Sequence, residues 1–66
     1  MIQIQLNGQP QKVAAKTIRE LVESLEISDS HLVVEHNGKI LQKEEWEGQA
    51  LSASDKVELI SFVAGG

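Results

Sequence analysis

The chain has no cysteine, one proline, one phenylalanine, one tryptophan and no tyrosine among 66 residues. The missing cysteine excludes a disulfide staple, a thiolate metal site and a thiol nucleophile, and fits a reducing interior such as the cytoplasm. No apolar run approaches the ~20 residues needed to span a bilayer. The opening "MIQIQLNGQP" carries no basic segment before an apolar stretch, so no signal peptide is expected. Basic residues are scarce too: six Lys and Arg face ten Asp and Glu, for a net charge of −4. That balance disfavours nucleic acid and anionic membrane and favours a protein partner with a basic surface. A chain this short buries only ~60% of its unfolded surface, which leaves no room for a large ligand cavity beside the core.

What is present is strongly patterned. In "IQIQL" Ile2, Ile4 and Leu6 alternate with Gln3 and Gln5, the period of a half-buried strand. Asn7-Gly8 then marks a type I′ hairpin turn, and Pro10 places the return strand, 9–13, at a sheet edge. "TIRE" opens a helix, with Thr17 as cap and Glu20 reaching back to it. Ile18, Leu21, Val22 and Leu25 form one apolar stripe, and the helix is expected to end near Glu26 or Ile27. "HLVVEHNGKIL" reads as a second hairpin around Asn37-Gly38. Trp46 anchors a short turn in "KEEWEG", and Leu51 reads as an isolated core plug. "DKVELISFV" is the last strand: Val57, Leu59, Ser61 and Val63 share one face, Lys56, Glu58, Ile60 and Phe62 the other. With one helical stripe available, one face of the sheet is covered and packs on Ile2, Ile4, Leu6, Val57 and Leu59. The result is an α+β domain occupying residues 1–66, a mixed sheet of four to five strands on one helix.

No catalytic set emerges. His31 and His36 flank a strand, lack a third ligand at useful spacing, and are expected to face solvent. Glu44, Glu45 and Glu47 read as a solvated acidic turn. No glycine-rich phosphate loop and no Ser-His-Asp set is present. Ile60 and Phe62, by contrast, are large apolar residues at outward positions, where a wet sheet face carries polar ones. A partner contact is the expectation; cover by the turn near Trp46 is the alternative.

The chain ends on Gly65-Gly66. A terminal carboxyl has an ordinary pKa near 3.5 and is ionised at neutral pH. Glycines let backbone enter a channel too narrow for a Cβ. Attack of that carboxylate on the α-phosphate of ATP gives a mixed anhydride, from which a sulfur nucleophile displaces AMP and leaves a thiocarboxylate. The chain has no phosphate site of its own, so it is substrate and carrier while partners supply catalysis.

"IQIQLNG", "TIRELVESL", "VVEHNGKILQKEEW" and "DKVELISFVAGG" together resemble the β-grasp (ubiquitin-like) sulfur carriers, most closely the ThiS-type carriers of thiamine biosynthesis. The resemblance covers the whole chain and implies several roles. Gly66 is the adenylation and thiocarboxylate site, and Gly65 and Ala64 thread the partners' active sites as part of a flexible tail, 64–66. Ile60, Phe62 and Val63 rest on partner surfaces. The implied partners are a ThiF-type adenylyltransferase using ATP and Mg, a ThiG-type thiazole synthase, and a sulfur donor such as a cysteine desulfurase. No cofactor or metal is held by the carrier itself, and its compartment is the cytoplasm. Gln42 stands where the family often has Pro, and Lys43 where Arg is common, which bears on loop geometry and partner choice. A molybdopterin-type carrier, a ubiquitin-like lysine modifier and a plain β-grasp binding module remain the alternatives.

Overall fold

The computed structural model describes residues 1–28 and 30–61. β1 (Ile2–Leu6) and β2 (Gln9–Val13) form an antiparallel hairpin, with Ile2 opposite Val13 and Leu6 opposite Gln9. The turn between them has Asn7 at φ 51° and Gly8 at φ 79°, the paired positive values that a type I′ turn demands. The second hairpin, β3 (Leu32–His36) and β4 (Lys39–Leu41), repeats the device with Asn37 at 51° and Gly38 at 87°. β5 (Lys56–Ser61) enters between the hairpins, parallel to β1 and antiparallel to β3, giving the strand order β2-β1-β5-β3-β4. Pro10 therefore lies on an edge strand, where its missing N–H interrupts no second ladder.

Among the described residues the single α-helix, α1 (Ile18–Ser24), crosses one face of this sheet. A helix leaves its first four N–H groups without internal partners, and three of them, those of Ile18, Arg19 and Glu20, are met here by identifiable acceptors. Ile18 N–H donates to Gln49 O at 2.9 Å and Arg19 N–H to Trp46 O at 3.1 Å. Glu20 N–H donates to the Thr17 hydroxyl at 3.1 Å, the expected cap. The Glu20 carboxylate, however, takes the Lys16 N–H at 2.9 Å rather than that of Thr17. Thr17 pairs with Ala50 in a β-bridge whose hydrogen bonds run from Ile18 N–H to Gln49 O and from Leu51 N–H to Lys16 O.

The helix is also shorter than the stripe suggests. It ends at Ser24, whose hydroxyl donates to Leu21 O at 2.8 Å and so competes for the terminal carbonyls. Glu26 turns the chain away at φ 56°. Ile18, Leu21 and Val22 are buried, whereas Leu25, beyond the last regular turn, is 38% exposed. The core is completed by Ile4, Val13, Val34, Leu41, Leu51, Val57 and Trp46, with Ile2, Leu6 and Leu59 packed against it. Trp46 and Leu51 thus occupy the anchor and plug positions read from the sequence. The indole is almost fully enclosed, and its Nε1–H finds no acceptor among the described residues.

Candidate functional site

β5 is the strand that leads to the chain's last residues, so its surroundings define the root of the tail. β1 accompanies it only through two pairs, Gln5 with Lys56 and Leu6 with Val57. Asn7 prolongs that contact beyond the strand. Its N–H donates to Val57 O at 2.9 Å, and its side-chain Oδ1 accepts the Leu59 N–H at 2.8 Å. Asn37 acts the same way from the opposite flank: its N–H donates to Lys56 O at 2.8 Å and its Oδ1 accepts the Lys56 N–H at 2.8 Å. The two Asn-Gly turns therefore clamp β5 from both sides. An Asn-Gly dipeptide is legible as a turn, but nothing local says where its amide oxygen will go.

The sheet face turned away from α1 is uncovered. Ile60 lies on it at 43% exposure and Ile40 at 59%, with Val33 half-buried directly opposite Ile60 in the register. The turn bearing Trp46 does not cover Ile60, which takes the outward position read from the sequence. Ile40 was missed; the signal was the alternation in "KIL", where buried Leu41 forces its neighbour outward. Phe62, Val63, Ala64, Gly65 and Gly66 lie outside the described residues.

On the opposite face, at the end of β5, an apolar groove of about 490 Å³ runs between Leu6, Leu25, Ile27, Leu32 and Leu59.

One expectation needs correction. His31 is exposed, but His36 is largely buried and its Nε2 lies 2.8 Å from Asp55 Oδ2. Asp55 also accepts the Ser52 N–H at 2.9 Å and a hydrogen from Asn37 Nδ2 at 3.1 Å. Burial pushes the Asp55 carboxyl upward. The hydrogen bonds from His36, Ser52 and Asn37, with the attraction of His36, outweigh it and hold the carboxyl below its ordinary value. An ionised carboxylate only accepts, so His36 Nε2 carries the hydrogen. The cluster ties the β3–β4 turn to the loop before β5; it is a brace. Of the acidic turn, Glu44 and Glu47 are exposed, and Glu45 receives the Gln42 N–H at 2.8 Å and lies 3.8 Å from Lys39 Nζ. Among the described residues, no group of three or more His, Asp or Glu is placed to hold a metal ion. No helix among them is long and apolar enough to cross a membrane.

A mixed five-stranded sheet with two flanking hairpins, a central last strand and one helix laid across it defines a β-grasp, ubiquitin-like domain. The crystal structure of the thiamine biosynthesis protein ThiS from Geobacter metallireducens superposes on this chain with a TM-score of 0.81 at 29% identity, over 98% of this chain and 100% of that one. Residues 4–66 match the ThiS family model, and the chain belongs to the ThiS family. It is 34% identical over 65 residues to the sulfur carrier protein ThiS of Bacillus subtilis (strain 168), covering 96% of this chain and 98% of that protein. It is also 35% identical over 49 residues to the uncharacterized protein ycf40 of Trieres chinensis, 74% of this chain and 67% of that one.

Proposed function

We propose that this chain is a sulfur carrier of thiamine biosynthesis, working in the cytoplasm as substrate and courier. The observation that carries the reading is that the family match extends through residue 66, so Gly65 and Gly66 fall within it. The Gly66 carboxylate attacks the α-phosphate of ATP in the active site of a ThiF-type adenylyltransferase. Pyrophosphate leaves, and a Mg ion held by that enzyme offsets the phosphate charge. The outer sulfur of a persulfide, carried by a donor such as a cysteine desulfurase, then attacks the acyl carbon and AMP departs; a thiol cleaves the resulting acyl disulfide, becoming oxidised to a disulfide as the thiocarboxylate is released. A ThiG-type thiazole synthase consumes that sulfur. Ala64 and Gly65 offer little side-chain bulk to a partner's channel. Ile60, with Phe62 and Val63, rests on the partner surface.

The architecture supports this division of labour. Because β5 is central and clamped at Lys56 and Leu59, pulling on the residues beyond it loads two hairpins at once. Intact mass of the protein taken from thiamine-starved cells is the test. The expected result is a fraction heavier by one sulfur less one oxygen, lost when Gly66 is deleted. An unchanged mass, or a ladder of isopeptide adducts, would count against a carrier and for a binding module or a lysine modifier.

A further inference from the structure

Glu35 and Glu58 sit directly opposite one another in the β3–β5 register, on the uncovered face of the sheet. Like charges in direct cross-strand register destabilise a sheet. Among the described residues neither carboxylate is in an ion pair. Lys56 shares their face two residues before Glu58 but forms no ion pair with either. The apolar side chains of that face adjoin them: Ile40 is the other register partner of Glu35, and Val33 and Ile60 form the next pair along. The isolated molecule thus keeps a repulsive pair at the centre of an exposed sheet, beside a patch that water solvates poorly.

We infer that this pair receives an arginine of the activating partner, its guanidinium bridging Glu35 and Glu58 while the apolar contact forms over Ile60, Ile40 and Val33. A guanidinium matches carboxylate geometry and is weakly hydrated, so it suits an acidic pair bordered by aliphatic side chains better than an ammonium does. The inference rests on the carrier reading and adds the chemistry of the partner surface.

The test compares the full-length wild type with the Glu35→Gln/Glu58→Gln double variant as substrates for ATP–pyrophosphate exchange by the ThiF-type enzyme of the same organism. The half-saturating carrier concentration is expected to rise roughly 3- to 30-fold at low salt. That difference should collapse at high salt, where exposed charges are screened. The melting temperature of the double variant should stay level or rise, because a repulsion has been removed. Glu58→Gln alone should shift half-saturation in the same direction by less. Equal half-saturation at low salt, a difference that persists at high salt, or a fall in melting temperature would each overturn the inference. Absence of exchange with the wild type would overturn the carrier reading beneath it.

Discussion

Asn7 offers the sharpest test of how the fold holds its last strand. Its backbone sits at φ 51°, and its side-chain oxygen takes the Leu59 N–H at 2.8 Å, fifty-two residues away in sequence. Three substitutions separate those duties. Asn7→Asp keeps both the acceptor and a tolerance for the left-handed region, so stability should stay within about 0.5 kcal/mol. Asn7→Gly keeps the turn but removes the acceptor. Water can reach the released amide, so the lost bond costs about 0.5–1.5 kcal/mol and the added backbone freedom about 0.5–1 more. Asn7→Ala loses the bond and also pays the left-handed penalty of about 1–2 kcal/mol, for a total of about 1.5–3.5 kcal/mol. In a domain of this size that is a fall in melting temperature of about 6–28 °C. Thermal melts would rank the variants, and hydrogen exchange at the Leu59 amide would locate the effect. If Asn7→Gly and Asn7→Asp melt together and Leu59 exchanges equally slowly in both, the clamp contributes nothing and the reasoning fails.

Other outcomes follow from the same physics. Trp46 is 1% exposed and its Nε1–H has no acceptor among the described residues. Trp46→Ala should therefore cost about 3–5 kcal/mol in urea unfolding, and Trp46→Phe under about 2, because the ring loss is partly offset by removal of an unsatisfied donor; equal losses would contradict this. For Asp55, a folded carboxyl held below its unfolded value contributes stability that is complete above about pH 4 and fades as pH falls through the lower folded value. Asp55→Asn should be less stable than wild type at neutral pH, with the gap narrowing on acidification below about pH 4; parallel curves in pH-dependent melts would exclude the brace. Ile60 is 43% exposed, so Ile60→Thr, which keeps the β-branch, should cost under about 1 kcal/mol of stability. The same change should raise the carrier concentration needed to half-saturate the activating enzyme; a large stability loss with unchanged saturation would place Ile60 in the core instead.

Much of this molecule is written in short-range pattern. Strand parity, the two Asn-Gly turns, the Thr17 cap and the edge position of Pro10 all depend on residues within a few places of each other, and each is where the sequence puts it. The outward position of Ile60 follows from the same period of two. The sequence also assigned His36 to solvent, and there it erred: the histidine's partner, Asp55, lies nineteen residues away and is brought close only by the loop before β5. The helix lost Leu25 for a local reason, the Ser24 hydroxyl and the left-handed Glu26, which apolar periodicity does not register.

The amino-acid order by itself determined the elements, the inward and outward faces of the strands, and the family to which the chain belongs, because these rest on period, turn chemistry and local capping. Tertiary structure decided which groups far apart in sequence meet: the Asn7 and Asn37 oxygens on β5, the His36–Asp55 brace, Ile40 beside Glu35, and Glu35 facing Glu58. Those pairings depend on β5 threading between two hairpins in one particular register. A shift of a single residue would have turned every one of its side chains to the other face.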